Sequence, residues 1–361
     1  MAHPNFETGL GTPFIRLAGP SLINNASSTK QAVNSSTGLL VIASSVQGDA
    51  AHVYAFNKIS IAPSHPTANV GSITTVQDNS ASGTLTGSDP EGDPLTFSIV
   101  SNGALGSATI TNAATGAFTY VPNAGAVGRD SFTFKVSDGT SDSNVATISV
   151  TILPASGERG VWLMDEGSGT TILDTSGLGN NGALQGSPTW VTGYHGLGWH
   201  LAGTSDYALV ANDATLNISG PLTIAAWVKP ERLATQYLVK KANGASDGYE
   251  LSLSTNGKAF ARLNQATSGN TYRIDSTTSY PTSGTVWIHL AATYDGTTLR
   301  LYVNGVLEGA IAGPASIATN GGALGIGAQP DGASPLQGAL DDVRLYARAL
   351  SAAEIQALAA P

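Results

Sequence analysis

The sequence predicts an all-β protein built from antiparallel β-sandwiches. Short strand-like runs recur about every ten residues through the last two hundred residues, and Gly, Asn and Asp separate them. Charged residues make up only 11% of the chain, and glycine occupies 43 positions, which is typical of an all-β surface protein and not of a helical enzyme. The pair Asn304-Gly305 lies between two such runs, and Asn-Gly is the strongest short signal for a β-hairpin.

The C-terminal half carries the clearest strand pattern. Its predicted strands cover residues 222–228, 249–253, 286–294 and 298–303. A short amphipathic helix is expected at the end of the chain, because Ser351 and Glu354 have the spacing of a capping box. Ile355 and Leu358 would then pack on the sandwich.

The order of landmarks in this half resembles the laminin-G-like domains of the concanavalin A-like jelly-roll fold. These landmarks are Trp162 with the acidic run that follows it, the strand around Trp227, the hairpin after Trp287, and the terminal segment 340–346. The resemblance implies a jelly-roll sandwich over residues 158–361.

Residues 67–153 form a second unit of sandwich strands. Phe132, Phe134 and Val136 alternate strictly with polar residues, and Val145, Ile148 and Val150 do so less cleanly. Together with the acidic loop at 88–93, this stretch resembles the cadherin-like, bacterial immunoglobulin-like repeats of surface adhesins, phage proteins and secreted enzymes. Proline-containing segments at 62–67 and 154–157 predict linkers on either side.

Residues 1–62 are predicted to be a small β-rich anchoring unit. Segments 14–17, 38–43 and 52–61 have the composition of strands, and the polar stretch 24–37 is interpreted as their connection. Sixty residues of β-structure without a disulfide are marginal alone, so we expect this unit to dock on a neighbouring subunit, a larger shell or the next domain. The alternative is the truncated tail of an upstream domain.

Composition excludes several classes of partner. The formal net charge of −9 disfavours nucleic acid and anionic membranes, and no apolar run is long enough for a transmembrane helix. The chain has no cysteine, which excludes disulfides and thiolate metal sites. The first residues lack the pattern of a signal peptide, so we expect either a start inside a longer secreted protein or release by lysis.

Two groups of acidic residues are candidate Ca²⁺ ligands. Asp89, Glu91 and Asp93 share one tight loop, and Asp138 lies in another loop of the same unit. Related cadherin-like repeats bind Ca²⁺ through such loops, whereas the alternative is a solvated acidic turn.

In the C-terminal half, Asp206 and Asp341 match positions that often contribute to one Ca²⁺ in the resembling domains. The segment 200–203 departs from the usual pattern there and lacks one oxygen ligand. The alternative is that Asp341 or Asp342 pairs with Arg344 or Arg348.

The motifs predict no catalytic residues. The Glu-x-Asp-x-x-Glu strand of concanavalin-like glycanases does not occur in the chain. His195 and His200 lack a metal-binding spacing, and alternation places His289 on the side of its strand away from the core. The formal G-x-G-x-x-G at 177–182 is followed by no helix pattern, so it is interpreted as a loop.

Ligand binding is expected at aromatic residues in loop-like contexts, because exposed rings stack on sugar faces. The candidates are Trp190, Tyr194, Tyr237, Tyr272 and Tyr280. Trp162, Trp227 and Trp287 are interpreted as core residues of strands.

These observations predict a non-catalytic display or adhesion protein, with a virion surface as the preferred setting and a capsid decoration or tail fibre as the role. Its partners would be a glycan or protein on a cell surface and, through residues 1–62, the virion or neighbouring subunits, with a homo-oligomer as one such arrangement. The alternatives are a fragment of a bacterial adhesin on the cell surface and an accessory module of a secreted glycan-degrading enzyme. A plain scaffold that binds nothing is the rival to the binding role.

Overall fold

The structure is a computed structural model that describes residues 64–361 and the backbone of three N-terminal strands. These strands are β1 (Ser27–Asn34), β2 (Leu39–Val46) and β3 (Tyr54–Ser60), paired antiparallel in the order β1-β2-β3. β2 and β3 confirm two predicted strands. β1 corrects the interpretation of 24–37 as a connection, because a ladder is built from backbone groups and tolerates a polar sequence. The predicted strand at 14–17 lies outside the described residues.

The middle part of the chain is an immunoglobulin-like sandwich. Its strands are β4 (Thr67–Ala68), β5 (Gly71–Val76), β6 (Ala81–Thr84), β7 (Gly87–Ser88), β8 (Thr96–Ser101), β9 (Gly106–Asn112), β10 (Ala117–Pro122), β11 (Gly128–Ser137) and β12 (Ala146–Leu153). The order β5-β12-β11-β8 forms one sheet, β6-β10-β9 forms a second, and β4 pairs with β7.

The predicted alternation in β11 is confirmed. Phe132, Phe134 and Val136 are all buried, and the Phe132 ring meets Phe118 edge-on with 5.1 Å between centroids. In β12 the buried series runs from Ala146 through Ile152. Val145, predicted to belong to it, is 56% exposed because the strand begins one residue later.

The C-terminal part is a larger sandwich of two antiparallel sheets. Its elements are β13 (Glu158–Trp162), β14 (Thr171–Ile172), β15 (Gly182–Gln185), β16 (Thr189–Thr192), β17 (Leu197–Ala202), β18 (Tyr207–Val210), a 3₁₀ turn (Ala214–Leu216), β19 (Leu222–Pro230), β20 (Gln236–Lys240), β21 (Tyr249–Leu253), β22 (Lys258–Leu263), α1 (Gln265–Ser268), β23 (Arg273–Ser279), β24 (Ile288–Tyr294), β25 (Thr298–Val303), β26 (Val306–Ala312), β27 (Leu324–Ile326), β28 (Gln337–Tyr346) and α2 (Ala352–Leu358).

One sheet, which we call the β28 sheet, has the order β16-β17-β28-β19-β24-β25-β26, and β13 also pairs with β28. The other, the β21 sheet, has the order β14-β15-β18-β27-β20-β21-β22-β23. Alternate residues of both sheets point inward and form one apolar core; in β19 these are Leu222, Ile224, Ala226 and Val228. The residues between them face outward, so each sheet has an outer face. Among the described residues, no helix is long and apolar enough to cross a membrane.

The terminal helix α2 covers part of the outer face of the β28 sheet. Ile355 is buried against Ala225, Ala291 and Tyr302, and Leu358 packs at the edge of this cluster. Both halves of the predicted capping box are present: the Ser351 side chain accepts from the Glu354 amide, and the Glu354 carboxylate accepts from the Ser351 amide. The predicted helix and its packing are thus confirmed.

The predicted hairpin is also confirmed, because Asn304 and Gly305 alone connect β25 to β26. Both residues have positive φ, 49° and 78°, as a type I′ turn requires. A Cβ on residue 305 would lie 3.2 Å from the Cα of Gln356 in α2.

Replacing Gly305 by alanine is therefore expected to destabilise the C-terminal sandwich by about 1–2 kcal/mol, because a side chain is strained at this φ. Urea unfolding followed by tryptophan fluorescence measures this selectively, since all five tryptophans lie between residues 162 and 287. Gly220→Ala is the matched control, because φ there is outside the left-handed region and no atom lies within 4 Å of the added Cβ. Equal midpoints for the two variants would contradict the prediction.

Candidate binding site

The outer face of the β21 sheet carries two rows of side chains that run across four strands. Backbone pairing joins Lys240 to Glu250, Glu250 to Arg262 and Arg262 to Arg273. A second row, two to three residues further along the strands, consists of Tyr237, Ser252, Phe260 and Asp275. We call these eight residues the Glu250 face. Their neighbours in each strand, such as Leu251 and Ala261, point into the core.

A buried ion network lies at the centre of the Glu250 face. The Lys240 Nζ is 2.6 Å from Glu250 Oε2, and Arg262 Nε bonds Glu250 Oε1. The side chains of Lys240 and Glu250 are 0% and 2% exposed. Burial lowers the pKa of Lys240, and the charge of Glu250 partly offsets that effect. The network therefore places three charges in fixed positions under the surface.

Residues of the following loop complete the hydrogen bonding of this network. Lys240 Nζ donates to Gln265 Oε1 at 2.7 Å, and Arg262 Nη1 donates to Asn270 Oδ1 at 2.7 Å. The loop after β22 is thus tied to the sheet by the same cations that neutralise Glu250. Side-chain orientations on this face are consequently fixed by several partners each.

Two aromatic rings lie among these charges. The Lys240 Nζ is 3.9 Å from the Tyr237 ring centroid, and the Arg273 guanidinium carbon is 3.8 Å from that of Phe260. Arg273 also binds Asp275 through two nitrogens, at 2.9 and 2.5 Å. Tyr237, Arg273 and Asp275 are half-buried and present the accessible part of the face. The buried Ser252 Oγ has no hydrogen-bond partner among the described residues.

This arrangement is suited to binding and not to acid–base chemistry. Glycoside hydrolysis uses two carboxyl groups on either side of the bond that is cleaved. Both Glu250 oxygens are engaged by Lys240 and Arg262, and Arg273 binds both oxygens of Asp275. Neither carboxylate of the face is left free to transfer a proton or attack a substrate.

The outer face of the β28 sheet carries a different group of residues, which we call the Trp227 cluster: Tyr194, Trp227, His289 and Asp341. Trp227 pairs with His289 on one side and with Asp341 on the other. The Tyr194 ring stacks on Trp227, with 3.4 Å between centroids and 12° between planes. As a result Trp227 is buried although it points away from the core.

Asp341 holds the Tyr194 ring in this position. Its Oδ2 accepts the backbone N–H groups of Tyr194 and His195 at 2.8 and 2.9 Å. Burial raises the pKa of Asp341 to about 6. Burial also lowers the pKa of His289 to about 4, and the nearby charges of Arg344 and His195 lower it further. Asp341 Oδ1, His289 Nδ1 and Trp227 Nε1 have no hydrogen-bond partner among the described residues.

A Ca²⁺ ion shared by Asp206 and Asp341 stays a prediction. The Asp206 oxygens accept the amides of Ser187 and Ala202, and Ala202 pairs with Gln337 in β28. Asp341 lies four residues further along β28, about 13 Å away at ~3.3 Å per residue. Asp342, by contrast, binds Arg344 at 2.8 Å, which confirms the alternative ion pair for that residue.

Calcium at the acidic loops of the middle domain stays a prediction. Asp89 Oδ1 accepts the amides of Glu91 and Asp93, and the Glu91 carboxylate accepts the Ser64 hydroxyl at 2.7 Å. Asp138 binds the amides and hydroxyls of its own loop, which lowers its pKa. Asp89 Oδ2 is an orphaned acceptor, but no three His, Asp or Glu side chains of the described residues converge as a metal site.

The predicted ligand-binding aromatics fall into three environments. Tyr237 belongs to the Glu250 face, and Tyr194 belongs to the Trp227 cluster. Trp190 and Tyr272 pack partly against the core, and Trp190, like Tyr237, lies in a strand and not in a loop. Tyr280 is buried, and its hydroxyl donates to the Ser254 carbonyl at 2.8 Å, so its prediction as a ligand residue is wrong.

Of the tryptophans predicted to lie in the core, Trp162 does so and Trp287 does not. Trp162 is fully buried, as expected. Trp287 is half-buried and precedes β24, with the Lys229 Nζ 5.1 Å from its ring centroid. The sequence patterns did not single out Lys240, Glu250, Arg262 and Arg273 as site residues. The pattern that marks such residues is a charged side chain at an alternate position of an otherwise apolar strand.

The two kinds of sandwich define this chain as a modular all-β protein. More closely, it carries a bacterial Ig domain at residues 63–151, followed by a domain of the concanavalin A-like lectin/glucanases superfamily at residues 202–356. Both resemblances inferred from the motifs are confirmed. A search of curated proteins finds no significant match.

Solved structures similar to this chain include two toxin domains and one module of an enzyme. The binding domain of Paraclostridial Mosquitocidal Protein 1 is 19% identical with a TM-score of 0.47, and the alignment covers 56% of this chain and 52% of that protein's chain. Domain 4 of AbnA, an extracellular arabinanase from Geobacillus stearothermophilus solved with arabinotriose, is 21% identical with a TM-score of 0.46, and 56% of this chain covers 98% of it. The binding domain of Botulinum neurotoxin DC, solved with rat synaptotagmin II, is 14% identical with a TM-score of 0.44, with coverages of 56% and 51%. The chain spans about half the length of the two toxin domains.

Proposed function

We propose that this protein is a non-catalytic display or adhesion protein whose concanavalin A-like domain binds carbohydrate on the Glu250 face. The observation that carries the proposal is the pairing of an accessible Tyr237 ring with planar polar side chains in fixed positions. The membership of the domain in a superfamily that includes lectins supports it.

The chemistry of a sugar matches the composition of this face. A pyranose or furanose ring has an apolar C–H surface that packs on an aromatic ring and hydroxyl groups that need paired donors and acceptors. Tyr237 supplies the ring, Arg273 supplies donors, and Asp275 supplies acceptors. Arg273 and Asp275 are already paired with each other, and Lys240 lies against the Tyr237 ring, so little side-chain entropy is lost when a ligand binds.

We further propose that the Ig domain is a spacer and that residues 1–62 attach the protein to a virion surface. The order of the domains, with one Ig domain before the lectin-like domain, supports a role in display. Genes for capsid or tail proteins beside this one are the expected finding. A hydrolase domain in the same reading frame upstream would contradict this setting and favour an accessory module of an enzyme.

Replacing Tyr237 by alanine is expected to weaken glycan binding about five- to thirtyfold, because one aromatic stacking contact is worth about 1–2 kcal/mol. The ligand is first identified on a glycan array with the full chain, and affinities are then measured by calorimetry. EDTA is expected to leave binding unchanged, since no metal is needed to orient the Glu250 face.

Tyr194→Ala is the matched control, since it removes a half-buried tyrosine from the outer face of the other sheet. This variant should keep the wild-type affinity. Loss of binding in Tyr194→Ala with retention in Tyr237→Ala would move the site to the Trp227 cluster and contradict the proposal.

A further inference from the structure

A buried lysine at the end of β20 has an environment that is unusual for a charged side chain. Lys241 is 2% exposed, and its Nζ donates to Asn212 Oδ1 at 3.0 Å, to the Asn320 carbonyl at 3.1 Å and to the Gly322 carbonyl at 2.5 Å. A fourth oxygen, Asn320 Oδ1, lies 3.4 Å away. An ammonium group has three donors, so its bonding capacity is used completely.

None of these four oxygens carries a formal charge. Among the described residues Lys241 forms no ion pair, unlike the adjacent Lys240, which binds Glu250. Burial lowers the pKa of Lys241 to about 8, which leaves the ammonium charged at neutral pH. Lysine is almost never fully buried without a charged partner, so the oxygens must replace the hydration shell of the cation.

The oxygen atoms come from two separate segments, and Asn320 ties its own segment to the one that carries Lys241. Its Nδ2 donates to the carbonyls of Lys241 and Asp247, both at 2.6 Å, and its Oδ1 accepts from the Gly322 amide. The loop after β18, the loop after β20 and the loop before β27 therefore meet at one ammonium group. Because the loop after β18 and the loop before β27 contribute oxygens and not apolar side chains at this point, their association depends on the positive charge of Lys241.

We propose that Asn212, Asn320 and Gly322 form a binding cage for a monovalent cation that the chain fills with the ammonium group of its own Lys241. Neutral carbonyl and amide oxygens are the ligands that suit monovalent cations, whereas Ca²⁺ sites rely on carboxylates. The tethered ammonium makes this loop edge independent of any metal ion. This inference goes beyond the glycan site and does not depend on it.

The test removes the tethered cation and supplies a free one. Lys241→Ala deletes the propylammonium portion of the side chain, so the variant should unfold roughly 5–10 °C below the wild type, since three charge-assisted hydrogen bonds are lost. Thermal unfolding followed by tryptophan fluorescence reports this domain alone. Propylammonium chloride should then restore several degrees in Lys241→Ala, and an equal concentration of tetramethylammonium chloride or propanol should not.

Lys241→Met keeps the length of the side chain without its charge, and it should be destabilised yet unaffected by propylammonium. Lys258→Met serves as the control, because Lys258 is only half-buried and its Nζ donates to a single carbonyl, that of Thr277, so this variant should unfold within about 2 °C of the wild type. If Lys241→Ala is insoluble, it is refolded from urea, and recovery in propylammonium alone supports the cage. The proposal is overturned if Lys241→Met is as stable as the wild type, if propanol restores Lys241→Ala equally well, or if no addition restores it.

Discussion

Replacing Glu250 by glutamine is expected to destabilise the C-terminal sandwich by about 3–5 kcal/mol, the largest loss for a single substitution in this protein. The change leaves Lys240, which is 0% exposed, and Arg262, which is 10% exposed, beside a neutral group. The glutamine amide also places a donor against a cation where the carboxylate presented an acceptor. Urea unfolding monitored by tryptophan fluorescence measures the loss.

Glu231→Gln is the matched control for this prediction. Glu231 pairs with His200 at 3.0 Å, but both side chains are about 30% exposed, so the loss should stay below about 1 kcal/mol. A Glu250→Gln variant as stable as this control would show that the network contributes little. Loss of glycan binding with retained stability would instead assign Glu250 to ligand contact.

The second large effect is on the pH dependence of the free energy of unfolding. Asp341 and His289 are expected to change this free energy in opposite directions as the pH rises. The pKa of Asp341 is about 6 in the folded protein and ~3.9 unfolded. The raised pKa of Asp341 therefore stabilises the folded protein fully below pH ~4, and this stabilisation is lost as the pH rises to about 6. The pKa of His289 is about 4 when folded and ~6.5 unfolded, so its contribution is complete above pH ~6.5 and is lost as the pH falls to about 4.

Because the two dependences oppose each other, the wild type should show little net change from this pair between pH 4 and 6. In Asp341→Asn the free energy of unfolding should rise with pH, relative to the wild type, by up to about 1.4 kcal/mol per pH unit. In His289→Gln it should fall with pH by a similar amount. Urea midpoints measured at half-unit steps provide both slopes.

The other charged groups beside this pair are His195, Asp342 and Arg344. They are unchanged in every variant, so their titration cancels when each variant is compared with the wild type. The double variant should lose both slopes. Parallel pH profiles for all four proteins would contradict the burial of these two groups under Tyr194.

Features that depend on neighbouring residues could be predicted from the sequence. The alternation of Phe132 with Phe134, the Asn304-Gly305 turn, and the Ser351 cap are each encoded within a few residues, and all three are present in the structure. The polar strand β1 was missed because its sequence has no apolar alternation, while the backbone still pairs with β2.

Features that depend on strand register could not be predicted in this way. Lys240, Glu250, Arg262 and Arg273 lie in four strands, and only the pairing of those strands brings them into one row. Irregular pairing near Leu238, between Tyr237 and Val239, sets that register, and no local signal marks it. The same kind of information determines which part of β28 lies beside Asp206 and which part carries Asp341.

Burial on the outer face misled the interpretation of Trp227. Its strand is apolar on both sides, which suggested that the ring lies in the core. The outer side of β19 is in fact covered by the Tyr194 turn and by α2, each contributed by a distant part of the chain. A strand that is buried on both faces has the same apolar sequence pattern whether a second sheet or a turn packs against it.

The central claim is that the Glu250 face binds glycans and does not cleave them. A glycan array tests it most directly: the full chain is applied, bound protein is measured, and mass spectrometry shows whether each glycan is still intact. The account predicts that at least one class of glycan retains the wild-type protein, that Tyr237→Ala is not retained there, and that the glycan is recovered intact. Retention of Tyr237→Ala at wild-type levels, the absence of any bound glycan, or a cleaved product would contradict it.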